Sequence, residues 1–185
     1  MLVSDPGYDK DEWCSKLVSN CKIGRWDSYI NINNYAYECD GQTGKDYRVA
    51  TLFVKHSSAI KEVFGTIHLE EDGDKAFFRW HGNAWERLSD NIGVDSGQAG
   101  FFDYEKYGDN SQFGEMGNCG FGDKWYSNCC DQTLSKHAGI VAGCGVNASA
   151  GFGDGCYTLW GHRSRDGEID AMALFFLTDN EPVES

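Results

Sequence analysis

Glycine rather than proline punctuates this chain, and that preference constrains the fold more than any other feature. The sequence holds 23 glycines and two prolines. Glycine suits tight turns, bulges and close approaches between backbones. The apolar runs between the glycines have strand-like lengths, and the run at 169–177 has the composition of a central strand. We therefore predict an α+β fold with a mostly antiparallel β-sheet core, one or two short helices and long Gly-rich loops.

Local patterns assign the individual elements. Acidic residues at the start of 9–18 and a partial apolar face predict a short helix there, and Asp123 is expected to cap a second helix that ends at Leu134. The segment 104–122 has no periodicity and is long enough for a functional loop. Asp-Gly pairs at 40–41, 72–73 and 166–167 predict turns. Besides 169–177, strands are expected at 29–37, 49–54, 63–69, 76–80, 92–102, 140–146 and 156–160.

Length and charge limit the classes of function. The 185 residues fit a single domain over 1–185, with a frayed tail at 178–185. A net charge of −13 repels phosphate and anionic lipid, so nucleic-acid and membrane partners are disfavoured. No apolar run approaches the roughly 20 residues of a membrane span, and the first residues lack a signal-peptide pattern. We therefore expect a cytoplasmic protein.

The eight cysteines are expected to be mostly reduced, buried small hydrophobes. No C-x-x-C pair is present, which disfavours a zinc site. A catalytic thiol stays open as an alternative, because His137 and His162 lie in the same half of the chain as most of the cysteines.

Three Asp/Gly motifs carry the candidate functional residues. They are 4–8 (SDPGY), 93–103 (GVDSGQAGFFD) and 151–157 (GFGDGCY). If these loops converge, Asp95, Asp103 and Asp154 could supply hard oxygen ligands to Ca²⁺ or Mg²⁺. The structural alternative is that the aspartates close turns by accepting hydrogen bonds from nearby backbone N–H groups. The candidate ligand-binding residues are Asp5, Tyr8, Asp95, Ser96, Gln98, Asp103, Asp154 and Tyr157.

The same motifs resemble a bacterial and phage family called domain of unknown function 4241, over residues 4–177. The most specific matches are Val94-Asp95-Ser96-Gly97 and Gly153-Asp154-Gly155-x-Tyr157. Trp125, Tyr126, Cys130 and Thr133 also fit its pattern. The chain departs from the family at Gly7, where relatives more often carry Cys, and at 147–150, where they are richer in serine. The resemblance implies no established activity.

From these features we expect a binding or interaction protein with a small-ligand or divalent-cation site in the Asp/Gly loops. One alternative is a metal-dependent hydrolase that uses Asp95, Asp103 and Asp154, two of them as acid and base. A second is an acidic protein-interaction module. A nucleotide could also dock on backbone N–H groups of 143–155 beside Arg163 and Arg165. The expected partner is thus a small molecule, a cation or a protein.

Overall fold

The computed structural model describes residues 1–60, 63, 66–69, 76–79 and 85–177. In those ranges the regular structure is β-rich, with a single α-helix and a short 3₁₀ turn at Asn110–Gln112. The helix is α1 (Lys124–Leu134). The strands are β1 (Leu2–Ser4), β2 (Ser15–Leu17), β3 (Trp26–Cys39), β4 (Gln42–His56), β5 (Thr66–Leu69), β6 (Ala76–Arg79), β7 (Trp85–Val94), β8 (Gln98–Phe102), β9 (Ala138–Val141), β10 (Gly145–Ser149), β11 (Gly155–Arg163) and β12 (Ile169–Phe175).

The strands form two five-stranded sheets, and β5 pairs with β6. The first sheet has the order β2-β1-β8-β10-β9, and the second has the order β3-β4-β12-β11-β7. Every pair of named strands in the described ranges is antiparallel. The predicted mostly antiparallel core is confirmed.

One hydrophobic core lies between the two sheets. Val3 and Phe101 of the first sheet join Leu52 and Met172 of the second in this core. Successive residues of a strand point to opposite faces. Phe102, next to Phe101, accordingly packs on the outer face of the first sheet.

The near-continuous apolar run of β12 is explained by its position, because both faces of the strand are covered. Met172 and Leu174 belong to the core between the sheets. Ala173 and Phe175 pack with Phe53 on the outer face of the second sheet. The strand lies between β4 and β11, so the predicted central strand is confirmed.

Helix α1 covers the outer face of the first sheet through Trp125 and Cys129, which pack against Phe102. The predicted cap is confirmed, since the Asp123 carboxylate accepts the Tyr126 N–H at 2.8 Å. Within the described ranges, no helix combines the length and apolar character needed to span a bilayer.

The predicted helix at 9–18 is wrong. The segment forms turns and then β2, which pairs with β1 along Leu2–Ser4. Cys14 is buried and its carbonyl accepts the Asp5 N–H at 3.2 Å, whereas Trp13 is 59% exposed. A helix of ten residues is only marginally stable by itself. Pairing with the edge of β1 therefore determines the conformation of the segment.

Two predicted strands are each divided by a turn. The segment 92–102 becomes the end of β7 and all of β8, joined at Gly97 (φ +72°). The segment 140–146 becomes parts of β9 and β10, joined at Gly143 (φ +68°). The other predicted strands are observed where the chain is described, except that Val63 lies in a turn before β5 and β12 ends at Phe175. The turn at 72–73, Trp80 and the tail at 178–185 lie outside the described residues.

Tight packing between β8 and β10 leads to a stability prediction. A methyl group on Gly100 would overlap the carbonyl oxygen of Val146 and approach the Phe102 ring to 2.7 Å. We expect Gly100→Ala to lower the free energy of unfolding by about 3 kcal/mol in urea titrations. Gly114→Ala is the matched control, because its added methyl group meets no atom within 4 Å. A loss in Gly100→Ala no larger than in Gly114→Ala would contradict the close approach.

Candidate functional site

A buried carboxylate, that of Asp5, joins the first two sequence motifs. Asp5 is 0% exposed. Its Oδ2 accepts the N–H groups of Asp95 at 2.8 Å and Ser96 at 2.7 Å. Its Oδ1 accepts the Gly7 N–H at 2.8 Å and the Ser96 hydroxyl at 2.6 Å. These charge-assisted bonds fix the loop between β7 and β8 against the start of the chain.

Two aromatic residues that sequence reasoning missed support the Asp5 segment from below. The Tyr107 hydroxyl lies 2.8 Å from the carbonyl oxygens of both Asp5 and Tyr8 and is the donor to them. Burial raises the pKa of Tyr107, so this hydroxyl stays protonated. The Trp125 indole N–H donates to the Pro6 carbonyl at 3.2 Å. Because the partners in these contacts lie about a hundred residues apart in the chain, no local sequence pattern could predict them.

Tyr8 and Asp95 form a hydrogen-bonded pair above the buried carboxylate. The Tyr8 hydroxyl donates to Asp95 Oδ2 at 2.5 Å. This hydrogen bond, with smaller contributions from desolvation and the charge of Asp95, raises the pKa of Tyr8 to about 12. The Tyr8 ring meets the Trp13 ring edge-on at 5.8 Å. The pair therefore holds a carboxylate beside an aromatic ring.

An open groove of about 780 Å³ lies over this pair. Phe121, which is 72% exposed, and Tyr126 contribute aromatic rings whose centroids lie 6.4 Å apart. We call it the Tyr8 groove; its lining residues are Pro6, Gly7, Tyr8, Asp9, Lys10, Asp95, Ser96, Tyr107, Gly108, Phe121, Gly122, Asp123, Trp125 and Tyr126.

The first turn of α1 opens onto the Tyr8 groove, yet two of its N–H groups are already used. Asp123 accepts the Tyr126 N–H at 2.8 Å, and the Asn110 side-chain oxygen accepts the Trp125 N–H at 2.7 Å. An anion would find these donors occupied and the Asp95 carboxylate opposite. The Lys10 ammonium donates to the Tyr104 carbonyl at 2.8 Å. The groove therefore favours positive charge in a ligand.

The third motif lies beside the second but does not line the groove. The Ala150 N–H donates to the Gly97 carbonyl at 2.9 Å, which joins the two loops. The Tyr157 hydroxyl donates to the Gly153 carbonyl at 2.6 Å and closes the turn. Asp154 is exposed. The groove-lining residues include neither Asp154 nor Tyr157.

Gln98, another predicted site residue, ties β8 to its neighbours. It is buried, and its side-chain oxygen accepts the Asn147 amide at 2.6 Å and the Thr133 hydroxyl at 3.2 Å. Its amide nitrogen donates to the Cys130 sulfur at 3.3 Å. These contacts link β8 to β10 and α1, which is a structural role.

The three carboxylates considered as Ca²⁺ or Mg²⁺ ligands do not form one cluster. Asp103 lies beyond the far end of β8 from Asp95, and the five residues of β8 span about 17 Å. Asp103 Oδ1 accepts the Glu105 N–H at 3.0 Å, as an Asx turn does. Among the described residues, no group of three or more His, Cys, Asp or Glu side chains is placed to hold a metal ion.

A second cavity, of about 500 Å³, lies at the Asp103 end of the sheets. Apolar side chains such as Trp26, Phe101 and Ile140 contribute to its walls. Asp103 is the one predicted site residue that lines it, and that carboxylate already serves its own turn. The Tyr8 groove, by contrast, combines four predicted residues from two motifs (Tyr8, Asp95, Ser96 and, beneath them, Asp5).

Of the residues behind the remaining sequence alternatives, Arg163 and His162 are already engaged, and Arg165 is exposed. Arg163 donates to Glu86 at 2.6 Å and to the Gly167 carbonyl at 2.9 Å, so its guanidinium is already bound. His162 pairs with Asp170 at 2.6 Å on the second sheet. All eight cysteines are free thiols, and half are buried: Cys14, Cys129, Cys130 and Cys144.

Comparisons of the chain with family models, curated proteins and solved structures give no match. The resemblance to domain of unknown function 4241 therefore stays a prediction, as does the cytoplasmic location.

Asp5 supports a stability prediction. In Asp5→Asn the amide NH₂ would face backbone N–H donors, and a charged acceptor would be lost. We expect a loss of about 3 kcal/mol in the free energy of unfolding, measured in urea. Asp103→Asn makes the same chemical change at an exposed turn and should cost less than about 1 kcal/mol. Equal losses in the two variants would show that Asp5 does not organise the loops.

Tyr8 supports a pH prediction. Its folded-state pKa, about 12, exceeds the ordinary value of 10.0, so the folded protein holds this proton more tightly. The resulting stabilisation is complete below pH 10 and is lost as the pH rises through about 12. The tyrosinate absorbance of the wild type minus that of Tyr8→Phe should titrate near 12, and the midpoint should fall toward 10 in the Asp95→Asn background. A midpoint near 10 in the wild-type background would rule out the pair.

Proposed function

We propose that this protein is a binding module whose Tyr8 groove takes a small organic cation, such as an amine or a guanidinium compound. One observation carries the proposal: an exposed carboxylate, that of Asp95, is fixed beside the Tyr8 ring in the wall of the groove. A positively charged group can pair with the carboxylate and lie against the aromatic rings.

The groove is organised before any ligand arrives. The buried Asp5 carboxylate fixes the backbone of Asp95 and Ser96, and Tyr107 fixes that of Tyr8. Binding therefore loses little loop entropy, which favours affinity. The net charge of −13 also raises the concentration of cations near the surface.

An organic cation fits this groove better than a divalent metal ion does. Ca²⁺ takes six to eight oxygen ligands, and Mg²⁺ requires near-octahedral geometry. The described residues offer no cluster of three such ligand side chains. A hydrolase that needs Asp95, Asp103 and Asp154 together also lacks support, because β8 separates the first two.

Thermal unfolding tests the proposal with a panel of spermidine, arginine, choline, Ca²⁺ and Mg²⁺ at matched ionic strength. A ligand present at 100 times its dissociation constant stabilises the native state by about 2.7 kcal/mol. We expect at least one organic cation to raise the midpoint by several degrees. Calorimetry then gives the dissociation constant. A rise with Ca²⁺ or Mg²⁺ alone would overturn the organic-cation assignment.

Matched variants separate groove binding from bulk charge. Asp95→Asn should weaken binding about tenfold or more, which corresponds to about 1.4 kcal/mol. Tyr8→Leu, which removes the aromatic ring, should also weaken it. Asp103→Asn changes the net charge equally at the other end of β8 and should leave affinity unchanged. Equal weakening in Asp95→Asn and Asp103→Asn would overturn the site.

A further inference from the structure

Two cysteines, Cys119 and Cys130, lie where the loop before α1 packs on the helix. The Cys119 sulfur lies 3.3 Å from the Ser127 hydroxyl oxygen and 3.5 Å from the Ser127 carbonyl oxygen. Cys130 follows Ser127 by three residues on α1, so the two helical side chains are neighbours. The Asp131 carboxylate, on the same face of the helix, accepts the Cys119 N–H at 3.2 Å, so Cys119 lies along the face of α1 that carries Cys130.

The backbone on each side of this thiol pair is held in place. The Asp131 carboxylate accepts the N–H groups of Asn118 at 2.7 Å and Cys119 at 3.2 Å. The Ser127 hydroxyl donates to the Gly117 carbonyl at 3.0 Å. Gly117 packs so closely on α1 that a methyl group there would overlap the helix backbone. The loop therefore keeps Cys119 at a fixed place against the helix.

The two thiols differ in accessibility. Cys119 is partly exposed, whereas Cys130 is 8% exposed and accepts the Gln98 amide at 3.3 Å. Burial tends to raise the pKa of Cys119, but hydrogen bonds from Ser127, the Phe121 N–H and Cys130 outweigh it, so the pKa is lowered. Burial raises the pKa of Cys130. This asymmetry suits an attacking thiolate and a second thiol that completes the reaction.

The adjacent Cys129 does not share this position. It is 0% exposed and packs in the cluster under α1 with Trp125 and Phe102. Burial strongly raises its pKa. The pair is therefore Cys119 with Cys130, although Cys129 is the next residue in the chain.

We propose that Cys119 and Cys130 form a dithiol that exchanges with low-molecular-weight disulfides. The Cys119 thiolate attacks one sulfur of the small disulfide, whose S–S bond breaks, and the leaving thiolate takes up a proton. Cys130, deprotonated by solvent, then attacks the Cys119 sulfur and displaces the second small thiol. The protein dithiol loses two electrons and two protons, which the small disulfide gains as it becomes two thiols.

Oxidised glutathione provides the test on the intact folded protein, followed by acid quenching, alkylation of free thiols and peptide mapping by mass spectrometry. We expect a disulfide between Cys119 and Cys130. Cys130→Ser should stop at a glutathione adduct on Cys119, and Cys119→Ser should form neither product. Iodoacetamide should modify Cys119 about tenfold faster than Cys39 or Cys156 near neutral pH.

Cys156→Ser is the matched control, because Cys156 is exposed and lies outside the pair. It should leave both the cross-link and its rate unchanged. Adducts on Cys39 and Cys156 without a bond between Cys119 and Cys130 would overturn the proposal. If either serine variant is unfolded, peptide mapping of the wild-type time course decides alone. Binding in the Tyr8 groove is measured on reduced protein, so the two proposals can fail separately.

Discussion

The buried charge of Asp5 is the constraint on which the site depends. A carboxylate away from water is costly unless its lone pairs accept hydrogen bonds from donors in good geometry. Asp5 meets this requirement with the N–H groups of Gly7, Asp95 and Ser96 and with the Ser96 hydroxyl. Satisfying one charge thus fixes two loops that are about ninety residues apart in the chain. It also points the Asp95 side chain outward, where Tyr8 reaches it.

Strand β8 connects the loop fixed by Asp5 to the rest of the molecule. Its first residue, Gln98, bonds to β10 and α1, and its last two side chains divide between two clusters. Phe101 enters the core between the sheets, whereas Phe102 packs under α1 with Trp125. All five residues of β8 belong to the second motif, and the strand is buried on both faces, so a change in it affects the groove and the core together.

Elements with strong local signals could be predicted, and those decided by distant contacts could not. The Asp123 cap and the apolar run of β12 are local, and both were confirmed. The segment 9–18 has the acidic first turn and the partial apolar face of a helix, but its residues 15–17 pair with β1 as an edge strand. Asp95 and Asp103 share one sequence motif, yet an extended strand keeps them apart. Tyr107 and Trp125, which support the site, approach it from far along the chain.

The number of hydrogen bonds that each aspartate already accepts distinguishes structural from functional carboxylates better than their motifs do. Asp5 accepts four within the described residues and has no capacity left for a ligand. Asp103 lies in its own turn. Asp95 is exposed beside the Tyr8 ring, and its carboxylate can still accept hydrogen bonds from a ligand. The thiol pair also has no sequence motif, since no C-x-x-C spacing is present. Packing of the 117–119 loop on α1 brings its two cysteines to the same face of the helix.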